Sequence, residues 1–335
     1  MPLPPDFDPD GPGGGDGLYG LPFAPDECTV SVIPVPWEAT ASSGRGTSAA
    51  PDAILEASHQ VDLTDLDYGD FWRQGVGFAR PDSRIARWAA EAEADAQAVL
   101  AAGGGLPDAA ARVDALGDRV HASVYERANE ILDRGGVPAV LGGDHSAPFG
   151  LIRAVAERHP GVGVLHVDAH ADLRVAYLGF RWSHASIFHN VLELPEVARL
   201  VGVGWRDVGA AEVARVQADP NRIRAFWDRD LGTWAADGEP WSRVVARIID
   251  ALPPTVHVSI DIDGLSPDLC GATGTPVPGG LSFRELQVLL RHLSASRAVV
   301  GFDLCEVGTT SWDANVGARV LYKLAGCALR SKGRA

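Results

Sequence analysis

From Thr29 onward, short apolar runs alternate with longer stretches of helical periodicity. Thr29–Val35 is β-branched and stops at Pro36, the signature of a buried strand. Similar runs predict strands at Val137–Leu141, Val162–Val167, Leu200–Val203, Ile223–Phe226, Val256–Ile260 and Ala298–Phe302. Pro51 suits the first turn of a helix that runs to about Ser58. The Ala-rich segment Arg84–Ala102 reads as a helix stopped by Gly103–Gly105, and Val120–Arg134 as one stopped by Gly135 and Gly136. Further helices are expected at Pro148–Arg158, Ala210–Gln217, Trp241–Leu252, Ser282–Leu293 and Val316–Leu329. Continuous apolar strands between helices predict βαβ units, hence an α/β fold with a parallel sheet covered on both faces. Residues 1–26, rich in Pro, Gly and Asp, predict an extended arm, either a disordered tail or an ordered segment packed on a neighbour. With no internal repeat and no linker, residues 27–335 are expected to form a single domain.

Composition narrows the function. A net charge of −15, with 29 basic residues against 44 acidic ones, argues against nucleic acid or an anionic membrane as partner. No apolar run approaches the roughly 18 residues of a membrane span. Met1 to Gly20 has neither a basic nor an apolar region, so no signal peptide is expected. Cys28, Cys270, Cys305 and Cys327 lie far apart, which predicts reduced thiols and a cytoplasmic location. Only Lys323 and Lys332 are lysines, and this Arg-rich bias weakens any argument from a single arginine.

In open parallel sheets, ligands sit outside the carboxyl ends of the strands. Three predicted strands end in the same kind of cargo: Gly142-Gly143-Asp144-His145-Ser146, Asp168-Ala169-His170-Ala171-Asp172 and Asp261-Ile262-Asp263. Asp144 is placed to buttress its turn. The i, i+2 spacing of Asp168 with His170, and of Asp261 with Asp263, puts each pair on one side of an extended segment. Two histidines and four aspartates converging at one sheet edge predict a metal site, because burying four carboxylates without cations is prohibitive. Oxygen donors mixed with imidazole suit Mn²⁺ and related ions. Six side chains suit two metals, typically about 3.5–4 Å apart.

GGDHS (142–146), DAHAD (168–172), SIDID (259–263), GTPVPGGLS (274–282) and DLCEVG (303–308) together resemble the ureohydrolase family of arginase, agmatinase and formimidoylglutamase, closest to its agmatinase-like branch. The resemblance spans about Ile33 to Leu324. It implies a three-layer α/β/α fold, two Mn²⁺ per chain, with Ni²⁺ open as another ion, and a trimer or hexamer. It implies His145, Asp168, Asp172 and Asp261 as ligands of one metal, and Asp168, His170, Asp261 and Asp263 of the other. It further implies that Glu306 pairs with the guanidinium and that His184 shuttles protons, a task suited to a histidine titrating near neutrality. Agmatinases read His-Gly-Thr where this chain has His184-Ala185-Ser186, and Ser266 stands where the family usually has Asp.

Two dications against four carboxylates leave the cluster about neutral, which favours a cationic guanidinium over a phosphate. The expected reaction is attack of activated water on the guanidinium carbon, with Asp172 passing a proton to the leaving amine and urea departing. Arg174 stands where arginase holds an α-amino acid; pointing inward, it would favour a carboxylate-bearing substrate, and pointing outward it is a surface residue. Agmatine, guanidino acids such as 4-guanidinobutyrate, formimino acids and free guanidine therefore stay open. A mononuclear zinc deacylase and a silent metal-stabilised scaffold are the alternatives from other classes. His166 and His257 read as core residues without a catalytic role.

Overall fold

The computed structural model describes Leu3, residues 7–11, Gly13 and residues 15–332. Its strands are β1 (Val30–Val35), β2 (Val76–Phe78), β3 (Val137–Gly142), β4 (Val162–Val167), β5 (Val197–Val203), β6 (Ile223–Phe226), β7 (Thr255–Asp261) and β8 (Ala298–Cys305). They form one sheet in the order β2-β1-β3-β8-β7-β4-β5-β6, with every pairing parallel. The helices are α1 (Ala50–Ser58), α2 (Ser83–Ala102), α3 (Pro107–Asp133), α4 (Phe149–Arg158), α5 (Ile187–Leu192), α6 (Ala210–Ala218), α7 (Asp228–Ala236), α8 (Trp241–Asp250), α9 (Phe283–Ser296) and α10 (Ser311–Ser331).

Strand side chains alternate between two apolar cores, as period 2 requires. Val256, Val258, Ile260, Phe302 and Leu304 join the core under α8, α9 and α10. Ile33, Val35, Val140, Val162 and Val164 join the core under α2, α3 and α4. Helices thus cover both faces of the sheet, giving the expected α/β/α layering. A register shift between Val256 and His257, opposite Val299 and Gly301, keeps His257, Ser259 and Asp261 on the α2–α4 side together with Asp303.

Every predicted strand is present, and the differences are local. β2 has three residues, too short to show a period. α5 and α7 are also short. α3 begins at Pro107 rather than at Val120, because Pro is tolerated in a first turn and the Ala-rich segment after it propagates helix. α10 begins at Ser311, where the Thr310 hydroxyl accepts the Asp313 N–H at 3.1 Å. Part of the predicted arm, including Met1 and Pro2, lies outside the described residues. Its Leu18, Tyr19, Leu21 and Phe23 are buried in the core of their own chain. There the Tyr19 hydroxyl donates to the Ala318 carbonyl at 3.0 Å, and its N–H donates to Ser58 Oγ at 2.9 Å. All four cysteines are unpaired and buried. Among the described residues, no helix is long and apolar enough to cross a membrane.

The turn after β3 packs closely against the end of β1. Gly143 donates to the Val35 carbonyl at 3.0 Å and Asp144 to the Trp37 carbonyl at 2.8 Å. A Cβ on Gly143 would collide with the Trp37 carbonyl. Gly143→Ala should therefore cost about 1–3 kcal/mol of stability through overpacking. Urea denaturation of the two proteins checks this, and an unchanged midpoint would refute the close approach.

Candidate metal centre

β3, β8, β7 and β4 lie side by side in the sheet, so the segments after their carboxyl ends meet at one edge. Asp144 is buried. Its Oδ1 accepts the Ser146 N–H at 3.0 Å, so it buttresses the turn as expected. The turn delivers His145 to the centre. His145 Nδ1 lies 3.1 Å from Asp168 Oδ2, 3.3 Å from Asp172 Oδ2 and 3.4 Å from Asp261 Oδ2. His170 Nδ1 lies 3.4 Å from Asp168 Oδ1 and 3.2 Å from Asp263 Oδ2. All six residues singled out in the sequence are thus brought together in two adjoining groups. Asp168 faces one group with each oxygen. Asp261 does not: its Oδ2 faces His145, while its Oδ1 accepts the Asp263 N–H at 2.9 Å.

The proton positions test whether cations fit. Ser259 Oγ has one hydrogen and donates it to Asp303 Oδ1 at 2.7 Å. The 2.9 Å contact between His145 Nε2 and Ser259 Oγ must then be donated by the imidazole. That leaves Nδ1 directed at three carboxylate oxygens, an arrangement stable only with a cation among them. On protein charges alone, that cation is a proton. Burial, then Asp263 and Asp168, push Asp261 well above the usual carboxylate range. Burial and Asp168 push Asp172 up to about 7. Burial opposes ionisation of Asp168 too, but His166 and hydrogen bonds from His145, His166 and His170 hold its pKa well below the usual value. His170, despite burial, is raised to about 12 by Asp168 and Asp263. A site that retains protons in this way, built of imidazole and carboxylate donors, fits divalent cations such as Mn²⁺.

The backbone holds two of these residues in unusual conformations. Asp172 has φ 53° and Glu306 φ 61°, left-handed values that cost non-glycine residues roughly 1–3 kcal/mol and cluster at functional sites. The Glu306 N–H donates to the Gly143 carbonyl at 2.8 Å. Its Oε1 accepts the His145 N–H at 3.0 Å. Burial, with Asp144 nearby, holds the Glu306 carboxyl well above its ordinary value.

A cavity of about 160 Å³ opens onto the centre, lined by His170, Asp172, Arg174, Tyr177 and His184 among others. His184 is half-buried, and its Nδ1 lies 3.4 Å from Thr40 Oγ1. The sequence expectation that it titrates near neutrality needs correction. Burial, helped by the nearby His170 and His145, lowers its pKa to about 4, so it is neutral at pH 7. Arg174 lines the cavity with its side chain 48% exposed and its Nε 3.9 Å from Glu212 Oε2. Sequence reasoning passed over Glu212, a buried carboxylate that accepts the Leu173 N–H at 2.9 Å and the Gly209 N–H at 2.8 Å. It also passed over Ser259, Asp303 and Trp205, although Ser259 and Asp303 stood within the motifs already quoted. His257, read as core, donates from Nε2 to Asp303 Oδ2 at 2.7 Å beneath the centre.

A sequence profile described as the arginase family matches residues 28–329. This chain belongs to the arginase family. An N(1)-aminopropylagmatine ureohydrolase of Thermus thermophilus is 31% identical over 87% of this chain and 86% of its own length. The guanidinobutyrase of Pseudomonas aeruginosa is 33% identical over 62% and 64%. Among solved structures, the agmatine ureohydrolase of Thermoplasma volcanium superposes with a TM-score of 0.73 at 22% identity, covering 95% of each chain. The proclavaminate amidino hydrolase of Streptomyces clavuligerus superposes with a TM-score of 0.73 at 24% identity, covering 94% of this chain and 97% of its own. The arginase-family fold therefore accounts for the sheet, and the buried His/Asp cluster lies at its carboxyl edge.

Protons and divalent cations would compete for that cluster. Asp172 is raised from 3.8 to about 7, so the folded chain binds more protons than the unfolded chain between those values. Stability from this group is present at low pH and is lost as pH rises through about 7. Bound divalent cations would replace those protons. The gain in Tm on adding Mn²⁺ should therefore be larger at pH 8 than at pH 5, as calorimetry with and without chelator would show. An equal gain at both pH values contradicts proton–metal exchange.

Proposed function

We propose that this chain hydrolyses a C–N bond of a guanidino compound to release urea and an amine, as an agmatinase-like enzyme with two Mn²⁺. Membership of the arginase family makes it a ureohydrolase, a hydrolase of linear amidines. The observation that carries the metal reading is the pair of adjoining imidazole–carboxylate groups faced by the two oxygens of Asp168. His145, Asp168, Asp172 and Asp261 would hold one ion; Asp168, His170 and Asp263, with Asp261, would hold the other. When bound, such ions polarise the substrate and lower the pKa of water toward neutrality.

The chain's own residues supply binding and proton handling. Glu306, anchored through His145 N–H, presents a carboxylate to the guanidinium and fixes its orientation. Asp172, held in its left-handed turn at the cavity wall, delivers a proton to the departing amine. His184, neutral at pH 7, stands on the same wall and carries protons between solvent and that amine. Buried strands beneath the cluster keep bulk water away from all but the cavity side. The same reading includes a homo-oligomer, a trimer or hexamer, in the cytoplasm.

For the substrate tail, the cavity mouth carries Asp207 and Glu212 against the single Arg174. This balance supports a cationic amine tail of the agmatine type. The relative from Thermus, an aminopropylagmatine ureohydrolase over nearly the whole chain, supports the same class. Arg174 at the wall favours a second reading, a guanidino acid, and the Pseudomonas guanidinobutyrase supports that one.

Urea release by Mn²⁺-loaded protein would be measured on agmatine, aminopropylagmatine, arginine, 4-guanidinobutyrate and guanidine, with metal content determined on the same sample. Turnover of an amine-tailed substrate with about two metals per chain is expected. Preference for 4-guanidinobutyrate would select the second reading, and inactivity across the panel would overturn the guanidino assignment. His184→Ala should retain metal while slowing turnover about 10²-fold or more, the usual scale of general acid–base contributions. Full activity would remove His184 from proton transfer.

A further inference from the structure

Below the cluster, in β4, the ring of His166 is buried between Phe188, at a centroid distance of 3.9 Å, and Trp205, at 5.5 Å. Trp205 Nε1 lies 3.2 Å from His166 Nδ1. An indole N–H can only donate, so Nδ1 accepts and carries no proton. The imidazole proton therefore sits on Nε2. That nitrogen lies 2.7 Å from Asp168 Oδ2 and donates to it. The direction of the whole chain, Trp205 to His166 to Asp168, follows from one donor-only group.

We propose that Trp205 and His166 are positioning residues that fix the orientation of Asp168, and that Trp205 sets the histidine tautomer on which this depends. The inference rests on the reading of Asp168 as a metal ligand. Asp168 is the carboxylate whose oxygens face both groups of the centre, so a small rotation about its side chain would misplace ligands for both ions. The bond from His166 opposes that rotation at Oδ2, and the His170 N–H, at 2.6 Å, opposes it at Oδ1. The tautomer also decides what His166 is not. Its Nε2 lies close enough to His145, Asp168 and Asp172 to join a metal site, but a protonated nitrogen has no lone pair to offer.

The fold leaves the indole little alternative. Trp205 is 1% exposed. A Cβ on Gly202 would collide with its ring, so the glycine in β5 provides the space that the indole occupies. With the opposite tautomer, the indole N–H and an imidazole N–H would face each other, and a lone pair would face the Asp168 carboxylate. Both bonds would be lost together.

The test combines tautomer and affinity. In metal-free wild-type protein labelled with ¹⁵N-histidine, NMR should show His166 protonated on Nε2; protonation on Nδ1 would overturn the proposal without any variant. Trp205→Phe keeps an aromatic ring but removes the donor, and should yield a mixture of tautomers and weaker Mn²⁺ binding in chelator competition. His166→Leu should weaken Mn²⁺ binding by roughly 10–100-fold, the usual effect of removing a partner of a metal ligand, whereas His166→Gln, which can both accept and donate, should stay nearer wild type. Wild-type affinity in both Trp205→Phe and His166→Leu would overturn the relay. Asp168→Asn serves as the reference: metal lost there but retained in His166→Leu defeats only the relay, while metal retained in Asp168→Asn defeats the ligand reading beneath it.

Discussion

Four aspartates, each no more than 5% exposed, share one small volume with two imidazoles. Two like charges about 4 Å apart repel by roughly 4 kcal/mol even at an effective dielectric of about 20. A whole domain is stable by only about 5–15 kcal/mol. Ionised and unaccompanied, these carboxylates would consume a large part of that stability. The structure around them makes sense as a means of keeping them together for cations. Parallel strands deliver them to one edge, a glycine turn lets β1 and β3 close at Gly143, and left-handed residues at Asp172 and Glu306 turn two carboxylates into the centre rather than along the chain.

How much of this is legible in the sequence follows from how local each cause is. The buried strands are continuous apolar runs, and all the longer ones can be read directly. β2 is too short for a period to emerge. The six clustered residues are visible because each lies just beyond such a run, and because i, i+2 spacing shares a side whatever the neighbours are. The residues that support them are of another kind. Ser259 and Asp303 lie inside strands, where a polar residue gives no sign of what it touches. Their meeting depends on β7 pairing with β8 and on the shift opposite Val299 and Gly301. Trp205 meets His166 only because β5 lies beside β4. The arm shows the same limit: its composition suggests a loose segment, and Tyr19 is held by Ser58 and Ala318, far away in sequence.

His184 illustrates a subtler gap. A histidine's type suggests titration near neutrality, but its environment decides the value. Burial and the positive imidazoles on the cluster side both disfavour its charged form. At pH 7 it therefore begins as an acceptor of protons. A divalent cation in the cluster would add further positive charge and favour the neutral form still more.

Floor and mouth of the cavity obey different energetics, and this separates reaction from substrate. The floor is buried, and its groups are fixed by hydrogen bonds between side chains on paired strands. The mouth is built from the segments after β4 and β5 and the first turn of α6. There the half-exposed Arg174 lies 3.9 Å from the buried Glu212, and solvent on the arginine side screens the pair, so it contributes about 0–1 kcal/mol. A substrate carboxylate can draw Arg174 away from Glu212 at little cost. A substrate amine would compete with it for Glu212, whose oxygens already accept the Leu173 and Gly209 N–H groups. Since 1.4 kcal/mol is a factor of about ten in an equilibrium, changes at one or two mouth residues suffice to exchange one tail preference for another while the floor stays intact. On the proposed function, the charge of the mouth would therefore select the tail, and the geometry of the floor the bond that is cleaved.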